Sequence, residues 1–192
     1  IEDLQVKLGE REVLRHIDLQ INSGETHILF GPNGSGKTSL LMTIMGYPQY
    51  RVTAGKITFK GVDITNMPIN ERAKLGIGMS YQRPPTVHGL KTKQMVQICA
   101  SGREVDIESM ATRMHFTDFL ERDINAGFSG GEIKRSELLQ LMSQKPDLLL
   151  FDEPESGVDL ENISLIGNTI SELLQRDVHP SPDKSQRQVR RE

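Results

Sequence analysis

The first part of the chain alternates hydrophobic and polar side chains. This alternation covers residues 4–8 and 13–21, and the polar run Gly9-Glu10-Arg11-Glu12 separates the two segments. A period of two is typical of half-buried strands, and a short polar run with glycine is typical of a turn. The pattern therefore predicts an antiparallel pair of strands at the start of the fold.

Further strands are predicted from four short runs. Apolar residues dominate at 27–30, 76–81 and 148–151. The last of these is Leu-Leu-Leu-Phe, which is typical of a central strand in a parallel sheet. A glycine-bracketed alternating run predicts one more strand at residues 56–60.

The remaining periodicity is helical. Residues 38–45 predict a helix, and the long stretch 91–144 shows a period near 3.6 with no strand pattern. Pro84-Pro85 marks a boundary before that stretch. A later apolar stripe, also at helical spacing, predicts a core-facing helix; it comprises Leu160, Ile163, Ile166, Ile170, Leu173 and Leu174.

These elements predict a single α/β domain. Residues 1–81 and 147–176 form its core, which includes the N-terminal antiparallel β subdomain, and residues 82–146 form an inserted α-helical subdomain. Residues 177–192 lose periodicity and contain two prolines and several arginines, so we expect a solvated, disordered tail rather than a nucleic-acid patch.

Composition narrows the function classes. The chain has 192 residues, a formal net charge of −3 and one cysteine, Cys99, in an apolar stretch. This net charge gives no reason to expect nucleic-acid binding. No apolar run is long enough to span a membrane, so no direct membrane contact is expected. A single cysteine fits the cytoplasm and predicts a buried structural thiol.

The most specific motif is a phosphate-binding loop, or P-loop. Its pattern GxxxxGK[ST] occurs after the predicted strand at 27–30 and before the predicted helix. Its glycines allow backbone N–H groups to surround phosphate oxygens, Lys37 can reach the β- and γ-phosphates, and Thr38 can bind Mg²⁺. The predicted ATP-binding residues are Gly31, Pro32, Asn33, Gly34, Ser35, Gly36, Lys37, Thr38 and Ser39.

Two carboxylates and an amide complete the predicted chemistry. Asp152 and Glu153 follow the apolar strand at 148–151, where the first can hold Mg²⁺ through water and the second can polarise an attacking water. Gln82 follows another strand, where its amide can sense the metal and the γ-phosphate. We predict Glu153, Lys37 and Gln82 as catalytic residues, and Thr38, Gln82 and Asp152 as the Mg²⁺ site.

A second anion-binding motif lies in the helical region. Phe128 is followed by Ser129, Gly130, Gly131 and Glu132, and Ser129 is a natural helix N-cap. Glycines beside a helix N-terminus make an anion site. The segment Ser156-Gly157-Val158-Asp159 follows shortly after Glu153.

With these motifs in this order, the chain resembles the ATP-binding cassette (ABC) ATPases from end to end. The resemblance implies a head-to-tail pair of subunits in which Ser129 and Gly131 of one copy contact the γ-phosphate held by the other copy. It also implies that Asp159, in the D-loop, lies at the dimer interface and that ATP hydrolysis depends on dimer closure.

Within that family the chain is more similar to SufC, the ATPase of iron–sulfur cluster assembly. Phe128 and Glu132 replace the Leu and Gln usual in transporters, and Lys134-Arg135 follow them. The implied partner is a SufB/SufD-type scaffold. The alternatives are the energy subunit of a membrane transporter, and an ATP-gated clamp without catalysis, which Glu153 disfavours.

The chain departs from the family pattern at two points. Residues 1–29 contain no aromatic side chain, so adenine is expected to rest on aliphatic residues such as Val13. The family's switch histidine follows a further strand, whereas His179 follows none. We therefore expect the given chain to stop before the last core strand and the switch histidine.

Overall fold

The structure is a computed structural model that describes residues 1–158 and 160–175. Its strands are β1 (Glu2–Leu8), β2 (Arg11–Ile17), β3 (Tyr50–Lys56), β4 (Thr58–Phe59), β5 (Val62–Asp63), β6 (Ile77–Ser80), β7 (Val87–Lys91), β8 (Asp123–Ile124) and β9 (Leu148–Phe151). Its helices are α1 (Lys37–Met45), α2 (Ile69–Lys74), α3 (Thr92–Cys99), α4 (Ile107–Arg113), α5 (Gly130–Gln144) and α6 (Leu160–Gln175), with a 3₁₀ turn at Thr117–Phe119.

The N-terminal strands form an antiparallel sheet in the order β2-β1-β3. Alternation directs Leu4 and Val6 into the core, where both are fully buried. The predicted hairpin is confirmed, but its second strand ends at Ile17 rather than at residue 21. The predicted strand at 56–60 is divided, because the backbone N–H of Ile57 bonds to Thr65 Oγ1 at 3.0 Å instead of continuing a sheet.

The prediction of a buried strand at 27–30 is wrong. These residues form no strand in the structure, and Ile28 and Phe30 are 70% and 89% exposed. A strand requires a neighbour for its N–H and C=O groups, and none of the strands in the described residues pairs with this run. The apolar composition was therefore insufficient to predict the element.

A short parallel sheet links two distant parts of the chain. β6 pairs with β9, with Ile77 opposite Leu148 and Ser80 opposite Phe151, as expected for the two predicted core strands. All four residues of β6 are buried, while β9 is mostly half-buried and pairs on one side only among the described residues. Both strands end at the same edge, which brings the residues after Ser80 and Phe151 together.

The helical region packs around its own apolar cluster. Side chains from α3, α4, α5 and α6 meet there, including Val96, Phe116, Leu138, Ile166 and Leu173. The expected helix at residues 160–174 is confirmed as α6, although Ile163 of its predicted core stripe is 40% exposed. The side chains of Leu160 and Leu174 lie outside the described part.

The expectation that residues 91–144 contain no strand is also wrong. β8 pairs antiparallel with β7, with Val87 opposite Ile124 and Lys91 opposite Asp123. Lys91 Nζ also lies 2.8 Å from Asp123 Oδ1. Because β8 has only two residues, its alternation is too short to detect in the sequence.

The second core contains the P-loop helix. Leu40, Leu41 and Ile44 of α1 pack with the N-terminal sheet and with β6 and β9. The C-terminal end of α1 is capped by buried Arg72, which donates to the carbonyl oxygens of Thr43 and Ile44 at 2.8 and 2.9 Å. Arg72 thus satisfies carbonyls that have no partner within the helix.

Three predictions fall on residues outside the described part of the chain. These are the D-loop residue Asp159, the tail at 177–192 and the loop histidine His179.

Candidate functional site

The P-loop wraps around the start of α1. Gly36 precedes the helix in the left-handed region at φ +98°, and a Cβ there would lie 3.2 Å from the carbonyl oxygen of Val13. The first intrahelical bond is donated by Leu40 N–H to Gly36 C=O at 2.9 Å. The N–H groups of Lys37, Thr38 and Ser39 therefore precede the helical hydrogen-bond ladder, where they can bind an anion.

The Lys37 ammonium lies over the P-loop itself. Its Nζ donates to Gly31 O at 2.7 Å and to Pro32 O at 3.0 Å. These two carbonyl oxygens hold the Lys37 ammonium above the loop. In such motifs the same lysine side chain contacts the phosphates of the nucleotide. A phosphate oxygen can replace either carbonyl as the acceptor without a change in charge on Lys37.

The P-loop helix contacts the end of β9 through one hydrogen bond. Thr38 Oγ1 donates to Asp152 Oδ1 at 3.1 Å. Asp152 is 5% exposed, and its other carboxylate oxygen, Oδ2, is buried without a hydrogen-bond partner among the described residues. A buried carboxylate oxygen without a donor is a strong candidate for a cation contact.

Gln82 and Glu153 meet at the same edge of the sheet. Gln82 Nε2 donates to Glu153 Oε2 at 2.6 Å, and both side chains are exposed. Glu153 adopts φ +47°, an uncommon backbone conformation for a residue with a side chain. Such conformations often occur at functional sites, where the surrounding structure maintains them.

The signature segment forms a capped helix terminus. Ser129 is the N-cap of α5, as expected, and its N–H donates to Glu132 Oε2 at 2.6 Å, which completes a capping box. Ser129 is exposed, whereas Gly131 is buried. Among the described residues, no hydrogen bond joins this segment to the P-loop of the same chain.

Gly130 contacts the segment that follows Glu153. A Cβ on Gly130 would lie 1.9 Å from Gly157 O, a distance that no side chain can occupy. The signature helix and residues 156–158 are therefore in backbone contact, and only glycine permits this approach.

An aromatic cluster supports the signature segment, and no sequence pattern indicated it. The Phe128 ring lies edge-on to Phe116 and Phe119, with centroids 5.8 and 5.3 Å away. The Arg122 guanidinium lies 4.9 Å from the Phe128 centroid and donates to Ala126 O at 3.1 Å. Arg122 and Phe128 together fix the backbone that leads into Ser129.

A buried ion pair was also missed. Lys134 and Glu137 lie on the inner face of α5, with Nζ and Oε2 3.0 Å apart. The sequence did contain a signal, because both residues share a helix face with Leu138 and Leu141, which are buried. Burial also raises the pKa of the neighbouring Tyr81 phenol.

A groove separates the helical region from the core. Its volume is about 380 Å³, and apolar side chains such as Met79, Met95 and Ile98 line it, as does Cys99. Cys99 is half-buried rather than fully buried, and burial raises its thiol pKa. Methionine-rich grooves adapt to varied partner side chains.

Taken together, the parallel strands, P-loop and paired carboxylates define a P-loop nucleotide-binding domain. The sequence model of the family described as "ABC transporter" matches residues 14–156. The chain therefore belongs to the ABC transporter family, whose nucleotide-binding domains bind and hydrolyse ATP, and it is an ATPase.

Curated relatives support this membership. The chain is 38% identical over 188 residues to "Probable ATP-dependent transporter ycf16" of Cyanidium caldarium, covering 90% of this chain and 74% of that protein. It is 35% identical to "Vegetative protein 296" of Bacillus subtilis, covering 90% and 71%.

Solved structures support the fold. The match to a nucleotide-free ATP-binding cassette from an ABC transporter has a TM-score of 0.75 at 22% identity, and it covers 92% of this chain and 76% of the other. The match to an ATP-binding subunit of an ABC transporter has a TM-score of 0.77 at 20% identity, with coverage of 91% and 74%. In the described residues, no helix of the chain has the length and apolar character needed to cross a membrane.

Proposed function

We propose that this ATPase uses ATP hydrolysis to change the conformation of a SufB/SufD-type scaffold on which iron–sulfur clusters are assembled in the cytoplasm. The single observation that supports a hydrolytic role most strongly is the meeting of Thr38 with Asp152 beside the contact between Gln82 and Glu153. One edge of the sheet thus brings together the P-loop, the carboxylate proposed to bind the metal (Asp152) and the candidate base (Glu153).

In the proposed reaction, Glu153 accepts a proton from water as the water oxygen attacks the γ-phosphorus. The bond from that phosphorus to the β–γ bridging oxygen breaks, and ADP and phosphate leave. Gln82 holds the Glu153 carboxylate by the 2.6 Å hydrogen bond from Nε2. Lys37 and the N–H groups at the start of α1 stabilise the charge on the phosphate oxygens.

The residues present fit a Mg²⁺ ion. A partner-free carboxylate oxygen of Asp152, the Thr38 hydroxyl and the Gln82 amide oxygen are hard oxygen donors of the kind that Mg²⁺ selects. When bound, the ion would neutralise charge on the β- and γ-phosphates. Thr38 and Asp152 would hold it, and Gln82 would contact it from the opposite loop.

We also propose that the active form is a head-to-tail pair of chains. Ser129 is exposed at the N-terminus of α5, where its hydroxyl and the helix dipole can bind the γ-phosphate of a second copy. Gly130 contacts Gly157, so the signature segment adjoins the D-loop on the same face. Closure of the pair would then complete each ATP site.

The partner is proposed to dock in the methionine-lined groove. The groove adjoins Pro84 and Pro85, which follow Gln82, so a docked partner lies next to the hydrolytic residues. The scaffold assignment rests on the Phe128, Glu132 and Lys134-Arg135 positions.

A transporter energy subunit is the second candidate. It is favoured by the names of relatives, which include an ATP-dependent transporter, and the same groove could hold a helix of a transmembrane subunit.

Affinity purification of the tagged chain distinguishes these candidates. The scaffold proposal predicts recovery of a SufB/SufD-type protein from the soluble fraction, with Cys99 protected from alkylation in the complex because it lines the groove. A matched variant, Ile98→Glu, should abolish recovery, whereas Gln97→Glu on the exposed side of α3 should not. Recovery of a transmembrane subunit from detergent extract alone would overturn the scaffold assignment.

A further inference from the structure

Two opposite charges are buried in the signature helix. The side chains of Lys134 and Glu137 are 3% and 7% exposed, one turn apart on α5. Burying a salt bridge costs desolvation energy that the mutual attraction rarely exceeds, so such a pair is weak evidence for stability alone. Its hydrogen-bond partners indicate a more specific role.

Both charges hold the backbone of Tyr81. Glu137 Oε1 accepts the Tyr81 N–H at 2.9 Å, and Lys134 Nζ donates to the Tyr81 carbonyl oxygen. Ser80 Oγ joins the network by donating to Glu137 Oε2 at 3.0 Å. Side chains of one helix therefore satisfy both polar backbone groups of the residue that follows β6.

Tyr81 connects this network to the hydrolytic residues. The Tyr81 carbonyl and the Gln82 N–H belong to one planar peptide unit, so the bond from Lys134 fixes the plane from which the Gln82 side chain projects. Ser80 also links the network to the loop after β9, because its carbonyl oxygen accepts a hydrogen bond from the Asp152 N–H at 3.1 Å. The network thus adjoins both loops that meet at Gln82 and Glu153.

We propose that Lys134 and Glu137 are positioning residues that hold Tyr81 and thereby align Gln82 with Glu153. Because α5 begins at Ser129, the same helix presents the signature segment at one end and sets the Gln82 loop from its middle. A shift of α5 when the signature binds phosphate would move Gln82 directly. This inference rests on the proposed roles of Gln82, Glu153 and Ser129.

The test removes both charges at once. The double variant Lys134→Met with Glu137→Leu leaves no unpaired buried charge, so the fold is expected to survive. Lys134→Met alone is the second variant. In it, the Glu137 carboxylate can still accept hydrogen bonds from Ser80 Oγ and from the Tyr81 N–H. The matched control makes the same two changes at the exposed pair Lys93 and Glu108, which lie 2.7 Å apart.

The main measurement is the NMR signal of the Gln82 side-chain amide, assigned by its loss in Gln82→Ala. It requires no turnover, so it tests the positioning role separately from the proposed catalytic role. We expect the double variant to move this signal toward that of free glutamine, Lys134→Met to move it part of the way, and the control to leave it unchanged. Steady-state kinetics should show kcat lower by about tenfold or more with the KM for MgATP within about twofold.

A role in stability alone predicts a different result. It predicts a lower melting temperature with the wild-type Gln82 amide signal, and the wild-type signal in both variants, whatever their melting temperature, means that the positioning role is wrong. An altered amide signal with unchanged melting supports it, even if Glu153 proves not to be the catalytic base.

Discussion

Thr38 Oγ1 donates a hydrogen bond to Asp152 Oδ1 at 3.1 Å, although the two residues are 114 positions apart in the chain. The bond fixes the first turn of the P-loop helix against the end of β9. It also leaves Asp152 Oδ2 as a buried oxygen without a donor among the described residues. This geometry places the candidate metal contact beside the start of the P-loop helix.

Asp152→Asn should selectively remove the Mg²⁺-dependent part of ATP affinity. The amide keeps one oxygen to accept from Thr38, but it has no negative charge with which to bind a cation. We expect ATP to bind about tenfold or more weakly in Mg²⁺, and equally well in EDTA, in titrations with a fluorescent ATP analogue. The matched control is Asp147→Asn, which lies before β9 and pairs with Lys60 at 2.5 Å. Equal gains in affinity from Mg²⁺ in wild type and Asp152→Asn would refute the metal assignment.

Gly130→Ala should be destabilising, and Gly167→Ala should be stabilising. A Cβ on Gly130 would collide with Gly157 O at 1.9 Å, while one on the exposed helical Gly167 meets nothing within 4 Å. We expect a loss of about 1–3 kcal/mol in the free energy of unfolding for the first and a gain of about 0.5–1 kcal/mol for the second. Urea denaturation measures both. A Gly130→Ala variant as stable as the wild type would contradict the contact between the signature and residues 156–158.

Arg72→Met should destabilise the P-loop half of the protein. Four carbonyl oxygens lose a charged donor, namely those of Met67, Thr65, Thr43 and Ile44, at 2.7 to 2.9 Å. The expected loss is about 2–4 kcal/mol in the free energy of unfolding. Arg51→Met, at an exposed position of β3, should change it by no more than about 0.5 kcal/mol. Similar losses for both variants would mean that the cap on α1 is unimportant.

The contribution of Asp123 to stability should depend on pH. Its pKa is lowered below the ordinary 3.8, first by the hydrogen bond from Gly89 N–H and then by Lys91. A carboxyl with a lowered folded pKa stabilises the fold above its unfolded pKa, and this contribution disappears as pH falls through the folded pKa. Asp123→Asn should therefore lower the melting temperature at pH 7 but match the wild type at pH values below that folded pKa. A gap that persists under acid would exclude this linkage, and exposed Asp118→Asn serves as the control at neutral pH.

Local sequence patterns predicted the elements that depend on residues close together in the sequence. The alternation before Ile17, the apolar runs of β6 and β9, and the Ser129 cap of α5 all depend on neighbouring residues in sequence, and the structure has each of them. The fold class, an ABC-type α/β domain, was predicted from the order of the motifs. Hydrophobic periodicity alone would not indicate it.

Features that depend on distant partners were not predictable in this way. Residues 27–30 are apolar like a strand, but strand formation also requires a pairing neighbour. Lys134 and Glu137 share a helix face with buried leucines, but charged side chains are rarely buried without partners, and their partners Ser80 and Tyr81 lie far away in the sequence. The contact of Gly130 with Gly157 likewise joins segments whose approach no local pattern specifies.

The central claim is that Glu153 activates water for ATP hydrolysis, and phosphate release by Glu153→Gln tests it most directly. In the wild type, Gln82 Nε2 lies 2.6 Å from Glu153 Oε2. The substitution keeps an oxygen that can accept this hydrogen bond, but it removes the base. We predict a turnover rate lower by about 100-fold or more, with MgATP affinity within a few-fold of the wild type. A variant that binds MgATP and releases phosphate at the wild-type rate would contradict the account.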